Sequence, residues 1–246
     1  MITKDSDHLL RRCLDSVYRN IPVHKLIIVD GHSRDNTLKI LKEFDTKYGN
    51  VEIFFDDGNR ATARQRGIQE VETEWFAFVD SDIVLCNGWF RRARRNVRSN
   101  VGAIWGLCID IIKNLCSSLF YRLLIEVSKE SFKIRGGLHD TLIRREAIED
   151  VKIPPVLHHY EDRFIINHVR AKGYEVLIPD NLYCLHYRPE SDWDVKNSLT
   201  LATAEIKNGI IDSHAFGFMK YYPFWVFYWV LQRIVRAQSK SGKNGA

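Results

Sequence analysis

The sequence predicts an α/β domain built on a largely parallel sheet. Two observations carry this prediction. Short apolar runs alternate with stretches of helical period through the first two-thirds of the chain. Two of those runs, LIIVD and WFAFVD, end on an aspartate, and an open α/β sheet binds its ligands beyond the carboxyl ends of its strands.

Taken in order, residues 25–30 (KLIIVD), 51–55 (VEIFF) and 75–79 (WFAFV) read as strands, and 101–110 contains a fourth. Between them, residues 8–19, 37–48, 61–72 and 89–99 carry helical patterns. Farther on, 115–131 is a helix candidate, Gly136-Gly137 breaks the chain, and 138–143 returns as a strand. Residues 158–172 and 194–208 are helical, with short strand candidates at 175–178 and 182–186. Strands alternating with helices of this length favour a parallel sheet flanked by helices. At 246 residues the chain fits one large domain or one domain plus an appendage; the division expected is a domain over 1–212 and a tail over 213–246.

The tail has a composition of its own. Residues 216–236 (FGFMKYYPFWVFYWVLQRIVR) are rich in aromatics, but Lys220, Pro223 and Gln232 interrupt them, short of the roughly 20 apolar residues of a spanning helix. An aromatic belt followed by Arg233, Arg236, Lys240 and Lys243 suits an amphipathic helix lying on an anionic membrane surface. A terminal helix capping the core is the alternative.

Composition excludes several classes. Apolar residues make up 45% and charged residues 27%, which is ordinary globular composition. A net charge of +5 suits a phosphate-bearing ligand or an anionic membrane, and is too mild for a nucleic-acid partner. The arginine run at 91, 92, 94, 95 and 98 reads as a solvated helical face, or as a contact for anionic head groups. Five cysteines (Cys13, Cys86, Cys108, Cys116 and Cys184) form no CxxC pair, which argues against a disulfide framework or a structural zinc site and for a reducing compartment. The first twelve residues are too polar for a signal peptide, so the expected location is cytoplasmic, with peripheral membrane attachment through the tail.

The chemistry concentrates at Asp80-Ser81-Asp82. If strand geometry persists past Val79, a spacing of two puts both carboxylates on one side of the chain. Such a pair is an oxygen site for Mg²⁺ or Mn²⁺, completed by substrate phosphates, and the cation would neutralise a leaving diphosphate. Asp30 ends the first clear strand, and Gly31 permits the tight turn that follows. Ser33 or Asp35 is placed to cap the next helix.

The segments LIIVDGHSRDNT, ATARQRGI and WFAFVDSD, in this order and spacing, resemble the nucleotide-sugar half of family 2 glycosyltransferases. The resemblance covers roughly residues 3–190. It implies a GT-A fold, with residues 1–110 as the nucleotide-sugar half and 111–212 as the acceptor-side half. It further implies an inverting, metal-assisted transfer from a UDP- or GDP-linked sugar to a hydroxyl on a glycan or on a polyprenyl-phosphate-linked acceptor. By this resemblance Asp30 contacts the base or ribose, Arg64 lies near the nucleotide or its phosphates, Asp80 binds the ribose or donor sugar, and Asp82 binds Mn²⁺ or Mg²⁺ with Asp80. Thr3 and Asp5 align with the turn that walls the base. Gly136, Gly137 and the run Arg144-Arg145-Glu146 resemble the acceptor-side segment. In His159-Tyr160-Glu161-Asp162, Asp162 would be the general base and Glu161 would orient the acceptor or a neighbour. His186 would bind the metal or the diphosphate, and Arg188 the phosphate.

The chain departs from that pattern in three places. Only Met1-Ile2-Thr3 precede Lys4-Asp5, so either the sequence starts late or the first strand is a stub. Gly31 stands where the family often has a second Asp, which blurs base preference. The Gln/Arg-x-x-Arg-Trp motif of processive synthases is absent, which favours single transfer over polymerisation. Two other classes are compatible with parts of the sequence: a nucleotidyltransferase, whose Gly-rich basic loop is missing here, and a non-catalytic module that binds nucleotide or docks on a membrane.

Overall fold

The structure is a computed structural model that describes residues 1–110, 137–157 and 161–186. The helices expected at 115–131 and 194–208, the tail, Gly136, His159, Tyr160 and Arg188 lie outside the described residues. Met1–Ile109 and Gly136–Arg188 form one compact unit; a second, residues 110–135 and 189–246, lies almost wholly outside them.

Helix α1 (Asp7–Asn20) buries Leu10, Cys13, Leu14 and Val17, the i, i+3, i+4, i+7 stripe that its periodicity requires. The stripe serves two cores. Leu10 and Leu14 pack with Leu26, Ile28, Ile40, Leu41 and Phe44. Cys13 and Val17 pack with Ile83, Leu85, Trp89, Ile104, Leu142 and Cys184.

Strands β1 (Ile2–Thr3), β2 (Leu26–Asp30) and β3 (Val51–Phe55) form a parallel sheet in the order β1-β2-β3, with Thr3 beside Asp30 and Asp30 beside Phe55. The crossovers are α1 and α2 (Thr37–Tyr48), and α2 ends at Gly49 in the left-handed region, φ 68°. Helix α3 (Arg60–Gln69) then leads to β4 (Trp75–Val79). It opens with a reciprocal capping box: the Asn59 side chain accepts from the Ala61 and Thr62 amides, and the Thr62 hydroxyl accepts from the Asn59 amide.

After β4 the sheet is mixed. Strands β5 (Ile83–Leu85), β6 (Val101–Trp105), β7 (Leu107–Asp110), β8 (Asp140–Arg144), β9 (Glu175–Leu177) and β10 (Tyr183–His186) complete the described residues. Their order is β4-β8-β6-β9 in one sheet and β5-β10-β7 in the other. Strand β8 runs antiparallel to both β4 and β6, whereas β6 and β9 are parallel. Helix α4 (Trp89–Arg94) precedes β6, and α5 (Glu161–Ala171) precedes β9.

Two helices are shorter than their periodicity predicts. Past Gln69 and past Arg94 the chain goes over to i+3 turns, Val71 N to Ile68 O and Val97 N to Arg94 O, so α3 and α4 stop early. The arginines at 91, 94, 95 and 98 therefore do not share one helical face. Strand β5, three residues long, is an element the sequence did not announce.

The far end of α5 is tied down. Lys172 Nζ donates to Asp150 at 2.9 Å and to the Glu146 carbonyl at 2.7 Å, and His168 Nε2 lies 3.0 Å from the same Asp150. The hydrogen bonds from Lys172 and His168 hold the Asp150 carboxyl down at about 2.

Candidate active site

Asp30, at the end of β2, is fully buried. Its carboxylate accepts from the Thr3 hydroxyl at 2.7 Å, the Ser33 amide at 2.7 Å and the Ser33 hydroxyl at 2.6 Å. Buried carboxylates need such donors. Ser33 thus braces Asp30 instead of capping α2, and its oxygen also accepts the Asp5 amide at 2.9 Å. The capping role falls to Asp35, whose Oδ1 accepts the Thr37 amide at 2.9 Å. Asp5 adopts φ 44° and accepts the Arg34 amide at 2.8 Å. Thr3, Asp5 and Asp30 are joined in one network, with Asp30 as its buried hub and Asp5 at the rim.

Strand geometry does not persist past Val79: Ser81 and Asp82 form a turn before β5. The two carboxylates consequently take different partners. Asp80 Oδ1 lies 3.2 Å from Arg64 Nη2, whereas Asp82 Oδ2 lies 2.9 Å from His186 Nε2. Asp82 is 41% exposed and Asp80 30%. Burial opposes the charge of Asp80, but Arg64 and then His139 outweigh it and hold the carboxyl below its ordinary value.

Arg64 sits on the inner face of α3 with Ala61 and Ile68, and is only 6% exposed. Its Nε donates to Glu161 Oε1 at 3.0 Å, and Glu161 is equally buried. Asp162 follows at the first turn of α5, where its Oδ1 accepts the Arg163 amide at 2.7 Å. Its charge also contributes to the field at Arg64. Arg64 therefore joins the acidic turn after β4 to the Glu-Asp pair that opens α5. Arg64, which the resemblance places near the nucleotide or its phosphates, is the buried bridge between two acidic segments, and Glu161 is its partner on the second.

The ends of β7, β8 and β10 bring a third group to the same region. Asp80 N donates to the His139 carbonyl at 2.9 Å, so His139 stands across from the acidic turn. Burial opposes protonation of His139, but Cys108, Asp140 and Asp80 carry its pKa up to about 9. Cys108 is drawn down to about 6 by the Cys184 hydrogen bond, against burial, while burial drives Cys184 well up. None of the three was picked out by sequence reasoning as a site residue; the Gly136-Gly137 break marked the right segment for His139. Gly137 has a local reason: a Cβ there would meet His139 Cε1 at 2.7 Å.

Asp82 and His186 offer a carboxylate oxygen and an imidazole nitrogen at one partly exposed point, a donor set that fits Mn²⁺ and is compatible with Mg²⁺. Asp80 lies two residues away but is turned to Arg64.

A two-core α/β scaffold of this topology is the GT-A fold of glycosyltransferases. Residues 1–117, a little under half of the chain, match the model for glycosyl transferase family 2. Glycosyltransferase AglE of Haloferax volcanii is 30% identical over 108 residues, 42% of this chain and 33% of AglE. The mannosyltransferase PcManGT from Pyrobaculum calidifontis, solved in complex with GDP-Man and Mn²⁺, superposes with a TM-score of 0.66 at 17% identity, covering 86% of this chain and 63% of that one. Residues 1–349 of Staphylococcus aureus TarS, solved with UDP, superpose with a TM-score of 0.60 at 14% identity, covering 92% of this chain and 76% of TarS 1–349. The chain thus spans a third of AglE and under two-thirds of PcManGT. Among the described residues no helix is long and apolar enough to cross a membrane.

Proposed function

We propose that the chain transfers a sugar from a UDP- or GDP-linked donor to a hydroxyl, with inversion at the anomeric carbon. The observation that carries this reading is the Arg64 bridge, which couples the acidic turn at Asp80 to the Glu161-Asp162 pair. An inverting transfer needs a cation-competent face and a carboxylate base on opposite sides of one reacting carbon.

In this reading Asp82 and His186, with Asp80 beside them, hold Mn²⁺ or Mg²⁺. The cation supplies charge neutralisation for the departing diphosphate. Thr3, Asp5 and Asp30 wall the base and ribose, and Asp80 faces the donor sugar. Asp162 accepts the proton of the acceptor hydroxyl as its oxygen attacks the anomeric carbon. The bond from that carbon to the diphosphate oxygen breaks, and the electron pair leaves with the diphosphate. Glu161 and Arg64 keep Asp162 in place, while Gly136 and Gly137 belong to the acceptor side. The acceptor is a glycan or polyprenyl-phosphate-linked hydroxyl, the latter in keeping with the aromatic and basic composition of residues 213–246.

The test is a screen of UDP- and GDP-sugars with Mn²⁺, reading nucleotide release. One donor is expected to be turned over by the wild type and bound without turnover by Asp162→Asn. A folded Asp162→Asn protein that turns over at the wild-type rate rejects the assignment.

A further inference from the structure

Among the described residues, one group of three ligand-type side chains has its ligand atoms all within 4.8 Å of one another, and it is neither the acidic turn nor its histidine: Cys108, His139 and Cys184. They come from three distant segments. Cys108 lies on β7 and Cys184 on β10, its neighbour in the sheet, with Leu107 N donating to the Leu182 carbonyl at 2.9 Å to fix the register. His139 immediately precedes β8. We propose that these three side chains form a soft-metal site, taking Zn²⁺ or a like thiophilic cation, separate from the Asp82–His186 pair.

Three observations support the assignment. Two sulfurs and one imidazole are the donors that select zinc over magnesium or calcium, and two Cys with one His leave the fourth tetrahedral position to water. Zn–S bonds of ~2.3 Å set sulfurs about 3.8 Å apart, so the present spacing needs to close by only about 1 Å. A carboxylate also stands beside the histidine, within reach of its outer nitrogen once the site closes. Asp140 Oδ1 lies 3.5 Å from His139 Nδ1, and the carboxylate is fully buried. Its other oxygen accepts Trp89 Nε1 at 2.9 Å. A carboxylate behind a ligating imidazole is the usual device for fixing ring orientation in zinc sites. Cys184 is fully buried, but Cys108 and His139 are only partly so, which leaves an entry path.

The site has a consequence for its neighbour. On β10, Cys184 and His186 are two residues apart and point to the same buried face. A cation held by Cys184 therefore restrains the strand that presents His186 to Asp82.

The full chain, stripped with a chelator and kept reduced by a phosphine, is titrated with Co²⁺ as a spectroscopic stand-in for Zn²⁺. One equivalent is expected to raise a near-ultraviolet thiolate-to-cobalt band, bleached by one equivalent of Zn²⁺, and Zn²⁺ is expected to raise Tm. Cys108→Ser and His139→Gln, each confirmed folded by circular dichroism, should lose the band; Asp82→Asn should keep it. Three results overturn the proposal: no band with all thiols reduced, a band that survives in folded Cys108→Ser or is lost in Asp82→Asn, or recovery of Cys108 and Cys184 as a metal-free disulfide from cells lysed without reductant.

Discussion

Arg64 and Glu161, 97 residues apart in sequence, form an ion pair with both side chains almost fully withdrawn from water. Pairs of this kind contribute little net stability, because desolvation offsets attraction, yet removing one partner strands the other. Arg64→Ala should therefore cost about 3–5 kcal/mol and lower Tm clearly. Arg64→Lys keeps the charge but not the fork that reaches Glu161 and Asp80 together, so it should fall between wild type and Arg64→Ala. Thermal unfolding of the three proteins checks the order.

The pairing of Asp82 with His186 predicts a divalent-cation phenotype. Asp82→Asn and His186→Ala should each weaken Mn²⁺ binding by more than the 10–100-fold that loss of a supporting residue typically costs. Calorimetric Mn²⁺ titration in the presence of UDP or GDP measures it. Asp80→Asn should act less on the cation, since Asp80 is engaged with Arg64.

Asp150 gives a pH signature outside the site. Its folded value of about 2 lies below the ordinary carboxyl value, so its stabilisation is complete above roughly pH 4 and lost as pH falls through about 2. Asp150→Asn should therefore melt below wild type at neutral pH, with the gap closing in acid. Because Lys172 and His168 meet Asp150 at the end of α5, amide exchange along α5 should quicken in the variant.

Gly106 is held glycine by contact: a Cβ there would come 1.8 Å from Asp140 Oδ2. Gly106→Ala should cost at least the ~1–3 kcal/mol typical of overpacking and displace the carboxylate from Trp89. The loss of Tm, together with a change in Trp fluorescence, would register both effects.

What could be seen in the sequence was local. The runs at 26–30, 51–55 and 75–79 and the helices α1 and α2 follow from periodicity alone, and so does the placement of Asp30 and Asp80 at strand ends. What was hidden was pairing. Nothing in DTLIR says that it inserts antiparallel between β4 and β6, because register is settled by contacts across the fold. For the same reason Cys108 and Cys184 looked unrelated: spacing rules find metal ligands on one hairpin, and these meet only once β7 and β10 are neighbours. Ser33 and Asp35 both read as candidate caps for α2, and Asp35 takes the role; Ser33 meets the stronger demand of a fully buried carboxylate three residues earlier.

That carboxylate has a kinetic implication. With Thr3 and Ser33 both committed to Asp30, the network at the carboxyl end of β2 is set when the chain folds. If a nucleotide docks there, as proposed, it would meet side chains already fixed, so its arrival should be limited by encounter, without a slow conformational phase on this side.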